Sequence, residues 1–132
     1  MRFGLVLLGL LLTSAPALGQ TITKGPVPAT AKFSWEAPTN VTTVAQALTF
    51  EPRLYRGTAP LTALVGATCV LQAAKVVCTA PVSQSNLDAI NQVGVQSLTL
   101  SLFRLDVGEG PPSVPFVLTT PAGAPTGFSL IP

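Results

Sequence analysis

The chain contains no histidine. That removes the side chain most often used as a general base and the commonest metal ligand. Charge is scarce as well, with seven Lys and Arg against five Asp and Glu in 132 residues. A formal net charge of +2 gives no electrostatic reason to expect nucleic acid or an anionic membrane as partner. There is one Trp and one Tyr, few for the exposed aromatic platform that a carbohydrate-binding module or inhibitor needs. Two cysteines without any His fall short of the ligand set of a zinc site. Gly108 and Gly110 do not lead into a helix, so they form no phosphate loop. After the leader, no apolar run approaches the ~20 residues needed to cross a bilayer.

The first segment reads as an export signal. Arg2 supplies a positive start, and Phe3-Gly4-Leu5-Val6-Leu7-Leu8-Gly9-Leu10-Leu11-Leu12 an apolar stretch too short for a membrane span. Ala17-Leu18-Gly19 places small residues for cleavage before Gln20, and Ala15-Pro16-Ala17 offers a second site. No Cys follows the cut, which argues against a lipid-modified N-terminus. The expected organisation is a signal peptide over residues 1–19, an extended segment over 20–28, one domain over 29–120 and a Pro/Gly-rich tail over 121–132. The expected location is secreted, periplasmic or on the cell surface.

An exported chain meets an oxidising compartment, so Cys69 and Cys78 are expected to form a disulfide. Val70-Leu71 and Val76-Val77 flank Gln72-Ala73-Ala74-Lys75. A hairpin turning at Ala73-Ala74 sets Cys69 opposite Cys78, about 4.5–5.5 Å apart at Cα, within bridging range. Ala-Ala suits a two-residue turn poorly, so a wider loop is also open.

Alternation organises the rest. Ala31, Phe33, Trp35 and Ala37 share one face, with Lys32, Ser34 and Glu36 on the other, a half-buried strand. Residues 42–50 read as a loop or a second strand. Arg53-Leu54-Tyr55-Arg56 reads as a strand, with Pro52 marking an edge or bulge. Residues 83–91 hold the one helical turn, capped by Ser85 or Asn86 and ended by Gly94. Residues 95–107 form the strongest strand. Its apolar phase flips from Leu98, Leu100 and Leu102 to Phe103, Leu105 and Val107, which predicts a bulge or twist near Leu102-Phe103. Gly108-Glu109-Gly110-Pro111-Pro112 reads as a turn, and Val114, Phe116 and Leu118 as the next strand face. Phe128-Ser129-Leu130-Ile131 is either part of a flexible tail or one more strand. With 13 prolines and little helical periodicity, the fold class is all-β, a two-sheet antiparallel β-sandwich with one hairpin disulfide.

The order of motifs resembles a fibronectin type III domain, within the immunoglobulin-like class. Phe33-Ser34-Trp35-Glu36-Ala37-Pro38 resembles the family's second strand, Arg53-Leu54-Tyr55-Arg56-Gly57 its third, and Gly108-Glu109-Gly110-Pro111-Pro112-Ser113 the turn before its last. The resemblance covers about residues 29–120. It implies Trp35 as the core anchor and Tyr55 as a packing residue near the surface. The family's tyrosine corner is missing here, and the Cys69–Cys78 pair is not a general family feature. Pro125-Thr126-Gly127-Phe128-Ser129-Leu130 looks like the opening strand of such a domain, displaced to the other end of the chain. From there it completes an edge of this domain, pairs with another copy, or stays unpacked.

Catalytic chemistry finds little support. The carboxylates Glu36, Glu51, Asp88, Asp106 and Glu109 read as solubilising surface charge. A rival enzyme would rest on Glu51 and Glu109. Asp106 with Glu109 offers too few oxygens for calcium. No cofactor is expected. Asn40-Val41-Thr42 is a glycosylation sequon, meaningful only in a eukaryotic secretory pathway. The functional expectation is an exported non-enzymatic binding or structural module that contacts another protein or a surface glycan. Its candidate binding loop comprises Gly108, Glu109, Gly110, Pro111, Pro112 and Ser113, and self-association through the tail is a further expectation. A secreted carbohydrate-binding or inhibitor module is the alternative.

Overall fold

The computed structural model describes residues 22–132, so the expected leader lies outside the described residues. The elements run β1 (Ile22–Lys24), β2 (Lys32–Glu36), α1 (Val44–Ala47), β3 (Glu51–Arg56), β4 (Ala59–Pro60), β5 (Thr68–Gln72), β6 (Lys75–Pro81), α2 (Gln84–Ile90), β7 (Gly94–Arg104), β8 (Gly108–Glu109) and β9 (Phe116–Thr120). They form two sheets. One has the order β1-β9-β7-β3-β4 with β8 also on β7, and the other the order β2-β6-β5. Pairing is antiparallel throughout, except that β1 runs parallel to β9.

Alternation in β2 appears as expected: Phe33 and Trp35 are half-buried against the core, while Lys32, Ser34 and Glu36 are exposed. Leu54 of β3, Leu98 of β7 and Leu118 of β9 come from the first sheet. Ala80 comes from β6 of the second, and Leu87 and Ile90 from α2. Together they make one buried cluster, so the sheets share a core. Leu118 and Ile90 lie at its centre, 0% and 1% exposed.

The β5–β6 hairpin sets Cys69 opposite Cys78 and joins them in a disulfide, with Cα atoms 4.0 Å apart. The turn is two residues long rather than wider. Ala73 and Ala74 both take positive φ, 48° and 68°, because only such a turn follows the right-handed twist of the two strands. Cross-strand bonding and the disulfide hold alanine where glycine or asparagine is preferred.

Pro52 is tolerated for the reason the edge reading requires. β3 pairs with β7 over its whole length, but with β4 only at Tyr55 and Arg56. The Pro52 carbonyl accepts from Leu64 N–H at 3.0 Å, on the side away from β7. The missing N–H falls on that same side, so the β3–β7 ladder loses nothing.

Several local expectations are corrected. Residues 42–50 hold neither a plain loop nor a strand, but the short helix α1. Thr43 Oγ1 accepts from Gln46 N–H, and the Gln46 side chain accepts from Thr43 N–H, a complete capping box. Helix α2 is capped by Ser83, not by Ser85 or Asn86, and it ends at Asn91 rather than Gly94, which opens β7. No bulge interrupts β7 against β3: the register is continuous from Glu51↔Phe103 to Arg56↔Leu98. The phase flip has another cause. Leu98, Leu100 and Leu102 lie on the core side, whereas Phe103 lies on the outer face beneath the Arg53 guanidinium, 3.7 Å from its ring centre. Leu105 and Val107 lie past the strand and are exposed. They, not Gly108-Glu109, occupy the turn, and Gly108 and Glu109 pair back onto β7 as β8. Residues 121–132 form no strand, and Phe128, Leu130 and Ile131 are almost fully exposed.

Candidate functional site

The residues expected to bind a partner are not a free loop. Gly108 takes φ +82°, a conformation suited to glycine, and turns the chain back along β7. Gly110 N–H then donates to the Leu102 carbonyl (2.9 Å) and Ser113 N–H to the Leu100 carbonyl (2.7 Å). In return Leu100 N–H donates to Ser113 Oγ at 3.0 Å. Pro111 and Pro112, which have no N–H to give, sit between these anchors. The segment is thus an irregular strip laid along β7.

Glu109 fixes one side of the strip. Its carboxylate accepts from Ser101 Oγ, from Tyr55 Oη at 2.6 Å and from Arg53 Nη1 at 3.2 Å. Arg53 also donates to Glu51 Oε1 at 3.0 Å, so one guanidinium lies between the two carboxylates of the rival catalytic reading. Bonds from Ser101 and Tyr55, with the Arg53 charge, hold the Glu109 carboxyl below the usual carboxylate range. The same bond to Glu109, helped by burial, raises the Tyr55 phenol, and the bond to Glu51 raises Arg53. Tyr55 therefore sits on the outer face as a partly covered hydrogen-bond donor.

Arg104 lies on the opposite face of the sheet from that network. It donates to Asp106 Oδ1 at 2.6 Å and to Thr49 Oγ1 at 3.1 Å, and its guanidinium lies 4.8 Å from the centre of the Phe50 ring. The bond from Arg104 lowers the Asp106 carboxyl. These contacts tie the end of β7 to the turn after α1. Beside Arg104, on the core side of β7, lies an open cleft of about 670 Å³. Trp35, Phe50, Val107 and Pro111 give it apolar walls, and Glu36, Asn40 and Gln46 add polar groups.

The cleft brings together Trp35 and five members of the expected binding loop: Gly108, Glu109, Gly110, Pro111 and Ser113. Pro112 is exposed but is not among its lining residues. Cys69 and Cys78 do not line it, although Cys78 is the cross-strand partner of Trp35. Glu36 pairs with Lys75 at 3.3 Å. Among the described residues no cluster of three His, Cys, Asp or Glu side chains is placed to hold a metal ion. The Glu109 network and the Arg104 clamp were missed from sequence. Their partners lie about fifty positions away and meet only through the β3–β7 register. The usable signal was that Arg53 and Tyr55, like Ser101 and Phe103, are two apart and so share a strand face.

No protein-family model, curated protein or solved structure matches this chain. The disulfide agrees with an oxidising, extracellular setting. Among the described residues no helix is long and apolar enough to cross a membrane.

Proposed function

We propose that this chain is an exported, non-enzymatic binding module of the fibronectin type III or immunoglobulin-like class. It acts at the cell surface, in the periplasm or outside the cell through contacts with another protein. The observation that carries this reading is the cleft beside the 108–113 strip, walled by aromatic and aliphatic side chains and edged by polar ones. Mixed lining of this kind suits an exposed peptide segment. The sandwich assignment is supported by the strand orders β1-β9-β7-β3-β4 and β2-β6-β5 around one core. Export is supported by the leader pattern and the disulfide.

The test is capture of a partner from the host's own envelope and culture medium, after mild cross-linking, with the tagged chain as bait. Val107→Asp and Pro111→Asp alter the cleft wall at exposed positions. Specific capture by the unaltered chain and its loss in both variants, with unchanged melting temperatures, is the expected result. Capture that persists in both variants overturns the reading.

A glycan is the second reading, favoured by Trp35, Asn40 and Gln46 lining the same cleft. Binding of a saccharide there shifts Trp35 fluorescence, whereas a protein-only site leaves it unmoved across a glycan panel.

A further inference from the structure

Five strand edges are left open by the two sheets, and four of them are blunted. β8 is two residues long and carries Glu109. β4 is two residues long and ends in Pro60. β1 is three residues long, carries Lys24 and runs into Gly25-Pro26. β2 presents the exposed charges of Lys32 and Glu36. Short length, charge and proline are the usual devices against edge pairing. β5, with the sequence Thr68-Cys69-Val70-Leu71-Gln72, has none of them, and Val70 and Leu71 are 52% and 60% exposed.

Helix α1 lies against β5 and β6, but it takes up none of the outward hydrogen-bonding groups of β5. Around a two-residue turn, Gln72–Lys75 and Val70–Val77 are the hydrogen-bonded pairs, and Leu71–Val76 and Cys69–Cys78 are not. In keeping with this, the Val76 carbonyl turns away from β5 to accept from Ala37 N–H at 2.8 Å. The N–H and C=O of Cys69 and Leu71 therefore point outward. Among the described residues β5 pairs with no strand but β6, and no loop or turn backbone group bonds to these outward groups.

The chain also carries a segment of matching character. Residues 126–131, Thr126-Gly127-Phe128-Ser129-Leu130-Ile131, contain no proline and no charge. Phe128 and Leu130 alternate with Ser129, as in a strand with one apolar face. Phe128, Leu130 and Ile131 are 95%, 94% and 84% exposed, so the segment does not lie on its own β5. Residues 121–125 between it and β9 can span ~17 Å when extended, which carries it clear of its own sheet.

We propose that residues 128–131 of one copy add as a strand to the β5 edge of a second copy. The outward backbone groups of Cys69 and Leu71 supply the hydrogen bonds. Phe128 and Leu130 cover Leu71 on the core side of the sheet, and neither partner brings a charge that opposes the contact. This goes beyond the cleft, which it does not use.

The experiment is sedimentation of the full, disulfide-bonded chain across a wide concentration range, with two variants. Leu71→Lys places a charge on the edge and keeps the segment. Phe128→Ser with Leu130→Ser keeps the edge and removes the apolar face of the segment. The full chain is expected to rise with concentration to at least twice the monomer mass. Each variant alone is expected to stay monomeric with an unchanged melting temperature, and the two mixed are expected to form a one-to-one pair. If Leu71→Lys fails to fold, Val70→Lys charges the same edge from its other face. A full chain that is monomeric throughout overturns the proposal. So does association that survives in either variant, or failure of the mixed variants to pair. Val107→Asp and Pro111→Asp leave this association intact, so the cleft and the edge fail separately.

Discussion

The carboxylate of Glu109 accepts from Ser101, Tyr55 and Arg53 at once, so its charged form is bound more strongly in the folded chain than in the unfolded one. A carboxyl whose folded pKa is depressed contributes stability above its unfolded value and loses it as pH falls through the folded one. Tyr55 has the opposite sense. Its raised phenol contributes below the ordinary tyrosine value and loses that contribution as pH rises through the folded one. Stability is therefore expected to be flat between about pH 5 and 9 and to fall on both sides. Glu109→Gln lowers the plateau and makes the acid limb shallower, Asp106 supplying what slope remains. Urea midpoints followed against pH for both chains test this, and superimposable acid limbs would contradict it. The hairpin turn offers a second residue-scale test. A non-glycine residue in the left-handed region costs ~1–2 kcal/mol, and Ala73 and Ala74 both sit there. Changing the pair to Asn-Gly is expected to stabilise the fold by about 1 kcal/mol or more, read as a rise in melting temperature.

At the scale of elements, α2 owes its place to two asparagine amides as much as to its apolar face. Asn86 accepts from Thr62 N–H at 3.0 Å and donates to the Thr62 carbonyl at 2.9 Å. Asn91 does the same with Val27, at 2.7 and 2.9 Å. Each amide stands in for a strand neighbour and satisfies both backbone groups of one loop residue. Asn86, 1% exposed, leaves a buried donor and acceptor unpaired when changed to Ala. The expected loss is ~2–3 kcal/mol, against ~1 kcal/mol for Ser83→Ala at the cap. Denaturant unfolding of the two variants separates the roles, and equal losses would rule out the clamp. This role was not legible in the sequence, where Asn86 read as a cap. An asparagine looks the same whether it bonds its own helix start or a loop 24 positions upstream. What was legible was period. Alternation identified β2 and most of β7, and symmetry about Ala73-Ala74 identified the β5–β6 hairpin. Alternation failed at Phe103 because a cation over a ring covers an outer face as well as a core does. It failed at α1 because four residues are too few to show a helical period. Of the candidate site, the 108–113 segment is legible as a binding loop, whereas Trp35 reads as a core anchor and not as a cleft wall. The walls from Phe50 and Arg104 depend on tertiary contacts that no local pattern encodes.

For the whole molecule, the question is whether two sheets of unequal size behave as one unit. The second sheet has three strands, and its inner face finds cover in residues of the first sheet and of α2. Losing the first sheet leaves the apolar inner face of the second in water, at the cost of its burial. Leu118 sits at the junction, 0% exposed, on the β9 strand that also carries β1. Leu118→Ala removes three buried carbons there and is expected to cost ~3 kcal/mol, a large share of the ~5–15 kcal/mol typical of a domain. Because the core is shared, that loss must reach the far sheet. The sole Trp, Trp35, lies in β2 of the second sheet, while amide exchange along β7 reports on the first. Both probes should show one coincident transition in the parent chain, shifted together in Leu118→Ala. The disulfide does not uncouple them, since Cys69 and Cys78 lie in one hairpin and link no strand of the first sheet. Its reduction is expected to cost about 2.7 kcal/mol by the chain-entropy relation for so short a loop, moving both probes equally. A Trp35 transition that ran ahead of β7 exchange after reduction would mean that the smaller sheet unfolds on its own.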